Sequence, residues 1–173
     1  MGERTAELRR FEPGDGPAVR RLHRRALSDA GTDPDDVPHT EDLDDVESSY
    51  LDGGGEFLVC EVDEQVVAMG GLAVEGEGIP HGAGELLRIA VHTDHQRAGY
   101  GSAIVDGLEA AARERGLDRV FLWTAQRQRA AVEFYTARGY EGTDHRTEGE
   151  YELLRFEKSL DDGGSATPGR ADG

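Results

Sequence analysis

The chain has 173 residues and carries 36 Asp and Glu against 19 Lys and Arg, giving a formal net charge of −17 and a pI of about 4.6. With 36% hydrophobic residues it can build one core, so a single globular domain is predicted and global disorder is excluded. The carboxylate excess argues against nucleic acid and anionic membrane surfaces as partners, because both are bound through clustered Lys and Arg.

The basic residues are almost all arginine, since Lys158 is the only lysine in the sequence. Strong acidity with scarce lysine is typical of proteins that stay hydrated in a very salty cytoplasm, because Arg pairs bidentately with the abundant carboxylates. The composition therefore predicts a halophilic source. An acidic docking surface for a basic partner is the alternative explanation of the same charge.

The sequence predicts a cytoplasmic protein with no targeting segment. Its longest mainly apolar stretch, Val66 to Val74, has nine residues, whereas a membrane-spanning helix needs about 20. The first six residues, MGERTA, contain no apolar signal region. Cys60 is the single cysteine, so it cannot form an intramolecular disulfide and is expected to be a small buried hydrophobe.

Hydrophobic periodicity and turn residues predict the element order β-α-α-β-β, then β-α-β-α, then β-β. Strands are predicted for Ala6 to Phe11, Phe57 to Val62, Gln65 to Val74, Glu85 to Val91, Arg119 to Thr124, Tyr140 to Thr147 and Glu150 to Lys158. Helices are predicted after an N-cap at Asp15 or a neighbour, from about Glu41 to Tyr50, from Tyr100 to Arg115 and from Arg127 to Arg138. Residues 1–160 are predicted to form one domain, and the acidic, Gly-rich residues 161–173 a disordered tail.

The segment Gln96-Arg97-Ala98-Gly99-Tyr100-Gly101-Ser102 joins a predicted strand to a predicted helix. Two glycines spaced by one residue allow a tight turn, so that consecutive backbone N–H groups and the positive end of the helix dipole face one anion. The segment predicts a pyrophosphate cradle, and the alternative is that the glycines only turn the chain. Ile104 replaces the third glycine of a dinucleotide fingerprint, and the Gly-Lys-Ser/Thr of a P-loop does not follow.

Several features occur together between Glu85 and Tyr140. They are an apolar strand ending in Ile89-Ala90-Val91, the loop Gln96-x-x-Gly99-x-Gly101, an amphipathic helix, a strand, and Ala131-x-x-Phe134-Tyr135-x-x-x-Gly139-Tyr140. In this order they resemble the core of the GNAT superfamily of acyl-CoA-dependent N-acyltransferases, and the resemblance extends over about Ala6 to Lys158. It implies an α/β (α+β) fold with a mixed, mostly antiparallel central sheet flanked by about four helices.

The resemblance also implies acetyl-CoA as cosubstrate. The backbone of Ile89, Ala90 and Val91 would pair with the pantetheine arm, and the Val91 N–H would polarise the thioester carbonyl. The pyrophosphate would be held by Gln96, Arg97, Ala98, Gly99, Tyr100, Gly101 and Ser102, with an added side-chain contact from Arg97. The family usually has Asn where this chain has Gln128, which keeps the amide but lengthens its reach.

The implied reaction is direct attack of a neutral amine on the thioester in a ternary complex. Tyr135 would share a proton with the departing sulfur, or its ring simply packs its helix on the sheet. Glu85 is the best candidate for the general base, because some family members have a glutamate there; a solvated carboxylate, with water as the base, is the alternative. Strand alternation groups Glu85 with Leu87, Ile89 and Val91 unless a bulge intervenes.

The predicted function is thus acetyl transfer to a primary amine on a small molecule or peptide. An acyl-CoA-binding regulatory module with little catalysis is the alternative, and an acidic scaffold without ligand is a third hypothesis. No metal is predicted, because His92 and His95 have no further Cys or His at ligand spacing. The acceptor would be bound by the first two helices, the acidic segment Thr32 to Glu47 and the loop before Glu85. Homodimerisation through the closing strands is left open.

Overall fold

The structure is a computed structural model that describes residues 6–29, 41–76, 78–92, 95, 99–126, 128–149 and 151–160. The tail predicted for 161–173 lies outside the described residues. No helix in the described ranges is long and apolar enough to cross a membrane.

Within these residues, seven strands form one sheet in the order β1-β2-β3-β4-β5-β7-β6. The strands are β1 Ala6–Arg10, β2 Glu56–Val62, β3 Gln65–Ala73, β4 Ala83–Val91, β5 Arg119–Ala125, β6 Glu141–Glu148 and β7 Tyr151–Ser159. β4 and β5 pair in parallel, whereas the β1–β2, β2–β3, β5–β7 and β6–β7 pairs are antiparallel. The predicted fold class, a mixed and mostly antiparallel sheet with flanking helices, is confirmed.

The helices are α1 Gly16–Asp29, α2 Tyr100–Glu114 and α3 Arg129–Ala137. The single helix predicted for Glu41 to Tyr50 is wrong, because a 3-10 turn (Glu41–Asp44) and a π-type turn (Glu47–Leu51) occupy that stretch. Acidic residues repeated three and four positions apart repel one another along a helix. Burial of Leu43, Val46 and Tyr50 fixes the segment instead.

Contacts divide the chain into two compact units. The first comprises Met1–Glu77 and Leu86–Ala111. One core cluster of this unit joins α1, the two turns and the sheet, with members Phe11, Val19, Leu22, Leu43, Val46, Tyr50, Phe57, Val59, Met69 and Ala90. Helix α2 packs against β1, β2 and β3, where Gly107 lies close to Leu8 and Leu58. At Gly70 of β3 the helix is so close that an added Cβ would lie 2.6 Å from Ile104.

The second unit comprises Gly78–Glu85 and Ala112–Gly173. Its buried residues include Val120, Phe121, Leu122, Tyr135, Tyr140 and Phe156. The β6–β7 hairpin extends to the sheet edge, and every residue of β6 is exposed. Lys158 lies over the ring of Tyr140, with its Nζ 5.6 Å from the ring centroid. Its four-carbon stem therefore covers apolar surface, as long basic side chains commonly do.

Candidate functional site

Strand β4 carries the backbone predicted to pair with the pantetheine arm, and it is irregular at Arg88, where φ is +60°. Leu87 packs against the core cluster on the α1 side, which also contains Ala90, whereas Ile89 lies beside Ile104 of α2. In a regular strand Leu87 and Ile89 would share a face. The alternation is therefore interrupted by a bulge-like irregularity at Arg88, which is the exception that the sequence prediction allowed.

The Arg88 side chain is bound at two points by Asp42. Arg88 Nε donates to Asp42 Oδ2 at 3.0 Å, and Arg88 Nη2 donates to Asp42 Oδ1 at 2.8 Å. The Tyr50 hydroxyl donates a further hydrogen bond to Asp42 Oδ2 at 2.5 Å. Although burial opposes ionisation, the hydrogen bonds from Arg88 and Tyr50 lower the pKa of Asp42. The carboxylate is thus charged and held from two sides.

His23 of α1 lies against the same guanidinium, with its Nε2 3.3 Å from Arg88 Nη1. Burial, and next the charge of Arg88, lower the pKa of His23 from 6.5 to about 4, although Asp42 acts in the opposite direction. The ring is therefore neutral at pH 7 and accepts at Nε2. We call Arg88, Asp42, Tyr50 and His23 the Arg88 network.

The Arg88 network was not predicted from the sequence. The signal that could have revealed it is a lone charged residue inside the apolar strand Leu86-Leu87-Arg88-Ile89-Ala90-Val91. A buried charge of this kind requires a partner.

The network makes the stability of the fold depend on pH. The unfolded chain protonates His23 near pH 6.5 and the folded chain only near pH 4, so acidification between these values favours the unfolded state. We expect the free energy of unfolding to fall by up to about 3 kcal/mol across this window. Denaturant titrations should show a flatter pH profile in His23→Gln. The matched variant His145→Gln, at an exposed position on β6, should leave the profile unchanged. Equal slopes in all three proteins would contradict this account.

The described part of the predicted pyrophosphate cradle consists of Gly99 and the start of α2. Gly99 has φ +89°, and among the described residues, its chain neighbours aside, none lies within 4 Å of an added Cβ. Its carbonyl accepts from the Ala103 N–H at 3.0 Å, so the helix begins directly after it. The first backbone N–H groups of a helix have no carbonyl partner within that helix. Gln96, Arg97 and Ala98 lie outside the described residues.

A ring cluster lies between the end of β4 and α2. The centroids of His92 and His95 are 5.6 Å apart, and those of His95 and Tyr100 are 6.1 Å apart. Tyr100, Gly101 and Ser102 form the first residues of α2 and are partly exposed. The described residues of the first unit thus include Ile89, Ala90, Val91 and Gly99 to Ser102 among the predicted cofactor-binding residues.

The second unit contains the remaining predicted site residues: Glu85, Gln128 and Tyr135. Glu85 is half-buried near the start of β4, at the register position of Phe121 on β5. Gln128 is the N-cap residue of α3, and its side chain makes no capping hydrogen bond. Its amide is therefore not committed to holding the helix, which is compatible with the predicted ligand contact.

Tyr135 lies in an aromatic cluster of α3. Its ring centroid is 5.1 Å from that of Phe134 and 5.6 Å from that of Tyr140, and the residue is only 7% exposed. Burial raises the pKa of Tyr135 above its usual value, although the charge of Arg138 acts slightly in the opposite direction. The phenol therefore keeps its proton at neutral pH, and it is a weaker acid than an exposed tyrosine.

A separate concave surface of the first unit, a cavity of about 420 Å³, is lined by Glu7, Glu61, Asp63 and Glu64. Four carboxylates are poorly suited to an anionic cofactor. Within the ranges that the structure describes, no three His, Cys, Asp or Glu side chains are grouped to hold a metal ion. Asp94, between His92 and His95, is outside those ranges.

A family model described as Acetyltransferase (GNAT) family matches residues 17–140. The chain therefore belongs to the GNAT family of acetyltransferases. The match includes β4, the loop after it, α2 and the Phe134-Tyr135 pair.

Among curated relatives, the chain is 33% identical to human N-acetyltransferase 8 over 104 residues, which is 59% of this chain and 46% of that protein. It is 35% identical to the uncharacterised N-acetyltransferase YjcF of Bacillus subtilis over 104 residues, 60% of this chain and 65% of that protein. The chain thus spans about half the length of the N-acetyltransferase 8 relatives that it matches.

Among solved structures, a GNAT-family acetyltransferase from Staphylococcus aureus superposes with a TM-score of 0.79, at 15% identity over 90% of this chain and 99% of that chain. The yncA structure from Salmonella typhimurium, solved with its cofactor acetyl-CoA, has a TM-score of 0.74 at 18% identity, with 91% of this chain and 95% of that chain covered. At these identities the matches show a shared fold.

Proposed function

We propose that the protein transfers an acetyl group from acetyl-CoA to a primary amine by direct attack in a ternary complex. The observation that carries this proposal is the GNAT family match over residues 17–140, which includes the predicted strand, loop and helix of the cofactor site. The acetyl-CoA complex of the structurally similar yncA protein supports the choice of cosubstrate.

The described residues fit a nucleotide-linked pyrophosphate. The left-handed conformation at Gly99, with no described residue beyond its chain neighbours close to the position of an added Cβ, would suit an anion against the backbone at the start of α2. Gly99, Tyr100, Gly101 and Ser102 would hold the phosphates together with the preceding loop residues. Bound acetyl-CoA would supply the activated acetyl group as its thioester.

The residues of this chain would divide three tasks between them. The backbone of Ile89 to Val91 would bind the pantetheine arm, and the Val91 N–H would stabilise negative charge developing on the thioester oxygen. Glu85, directly or through water, would take the proton that the ammonium group must lose before attack. Tyr135 would donate its phenolic proton to the leaving thiolate. Gln128 would add an amide contact to the cofactor.

We further propose that the acceptor is an amine on a small molecule or peptide, and that the protein works in a cytoplasm of high salt. The net charge of −17 and the single lysine support salt adaptation. The same negative charge supports an acceptor that is neither nucleic acid nor an anionic membrane component.

Isothermal calorimetry with acetyl-CoA in buffer of high ionic strength tests the first step. Gly99→Ala should weaken binding by about tenfold, because the new Cβ occupies the space beside the backbone and disfavours φ +89°. Gly116→Ala is the matched control, since Gly116 follows the other end of α2 with φ +76° and equally open surroundings. It should lose similar stability and bind normally. Absence of acetyl-CoA binding by the wild type would refute the proposal.

A further inference from the structure

Arg88 has a left-handed backbone conformation, which an arginine does not favour by itself. A non-glycine residue at φ +60° places Cβ close to the backbone and costs about 1–2 kcal/mol. Such a conformation persists only where surrounding contacts hold it. The irregularity also lies directly before Ile89, the first residue of the backbone proposed to bind the pantetheine arm.

The contacts that hold Arg88 come from a segment 46 residues away in the sequence. Asp42 binds the guanidinium at two points, which fixes its direction as well as its position. Asp42 is in turn held by Tyr50, whose ring is 3% exposed and packs edge-on to Phe57 with centroids 5.2 Å apart. The anchor of Arg88 is therefore itself held by a residue of the core.

A second ion pair of the same unit shows what a purely stabilising role would look like. Arg9 binds Asp15 at two points, at 2.8 and 3.0 Å, and these side chains are 20% and 12% exposed. Those of Arg88 and Asp42 are 19% and 21% exposed. The two pairs are similarly buried, but Arg9 binds Asp15 through Nη1 and Nη2 and is also bound by Glu61 at 2.9 Å. Arg9 lies on edge strand β1 and has no positive φ.

We propose that Asp42 and Arg88 are positioning residues. Their ion pair holds the irregularity of β4 at Arg88, and it thereby fixes the direction of the Ile89 to Val91 backbone that binds the cofactor. This inference rests on the proposed function. The segment around Asp42 contributes no residue to the predicted cofactor site. It would nevertheless control the conformation of the cofactor-binding strand through the ion pair with Arg88.

The test compares Asp42→Asn with Asp15→Asn in two measurements. Hydrogen exchange is followed by mass spectrometry over residues 86–92, and acetyl-CoA binding is followed by calorimetry. Asp42→Asn should speed exchange over 86–92 and weaken acetyl-CoA binding by about tenfold or more, because small displacements of binding groups have large effects. Asp15→Asn, in which Arg9 keeps its hydrogen bond to Glu61, should change neither measurement. Unchanged exchange and binding in Asp42→Asn would overturn the inference.

Substitutions at Arg88 separate backbone positioning from a direct contact of its charge with the cofactor. Glycine adopts φ +60° without penalty and alanine does not. Arg88→Gly should therefore bind acetyl-CoA more tightly than Arg88→Ala, although both lack the guanidinium. Equal affinities in the two variants would contradict backbone positioning. These variants also keep the test valid if Asp42→Asn, with an uncompensated Arg88, fails to fold.

The failure of this inference can be distinguished from failure of the proposed function. If the wild type does not bind acetyl-CoA, the proposed function is refuted, and hydrogen exchange alone then decides the positioning role. Faster exchange over 86–92 in Asp42→Asn, with none in Asp15→Asn, would support it in that case. If the wild type binds and Asp42→Asn behaves as Asp15→Asn does, only the positioning role is refuted.

Discussion

Tyr135→Phe is expected to bind acetyl-CoA as tightly as the wild type and to lose on the order of a hundredfold or more in kcat. The substitution removes one oxygen and keeps the ring that contacts Phe134 and Tyr140. The hydroxyl is protonated at neutral pH and can donate to a thiolate as it departs, although burial raises the pKa of Tyr135 and makes it a weaker acid than an exposed tyrosine. The measurement is steady-state release of free thiol together with calorimetry.

Tyr140→Phe is the matched control for this prediction. Tyr140 is 2% exposed and belongs to the same aromatic cluster, so its substitution also removes a buried hydroxyl. It should change stability without the loss of kcat. An unchanged kcat in Tyr135→Phe would remove Tyr135 from the acid role and leave ring packing as its function.

The second large effect is expected from salt. With a net charge of −17 the folded chain repels itself in dilute buffer, and it also repels an anionic cofactor. At 1 M salt the screening length is about 3 Å, so both repulsions are largely removed, whereas hydrogen bonds from backbone groups in direct contact with phosphate persist. We expect unfolding in dilute buffer, recovery near molar salt, and a KM for acetyl-CoA that falls as salt rises from low concentration.

Circular dichroism and initial-rate measurements across a salt series check this prediction. An uncharged osmolyte such as sucrose is the control, because it strengthens burial without screening charge. It should lower the KM for acetyl-CoA far less than salt does. Stability indifferent to salt would contradict adaptation to a salty cytoplasm. A KM that rises with salt throughout would show that long-range attraction, and not close backbone contact, holds the cofactor.

Much of the fold could be predicted because local signals set the element boundaries. The β2–β3 hairpin follows from two β-rich runs around Asp63-Glu64, and both turn residues have positive φ as a tight hairpin requires. Helix α2 ends just before Gly116, which has the positive φ of a helix-terminating glycine. Strand β4 begins at Ala83, two residues before the predicted start, because pairing with β5 extends it.

The parts that could not be predicted depend on contacts distant in the sequence. Nothing local to Arg88 specifies a left-handed backbone, since its partner Asp42 is 46 residues away. The stretch Glu41 to Tyr50 has a helical pattern, but buried contacts of Leu43 and Tyr50 favour separate turns. For the candidate site, the resemblance to the GNAT superfamily identified strand β4, the loop after it and Tyr135. The roles of Glu85, Gln128 and Tyr135 stay predictions.

The central claim is catalysis of acetyl transfer, and amine-dependent release of thiol from acetyl-CoA tests it most directly. The wild-type protein, in buffer near molar salt, is assayed with a panel that includes peptide N-termini, lysine side chains, polyamines and aminoglycosides. The account predicts thiol release that requires one or more of these amines and yields the acetylated amine by mass spectrometry. Tight acetyl-CoA binding without thiol release for any amine would contradict it and indicate an acyl-CoA-binding regulatory module.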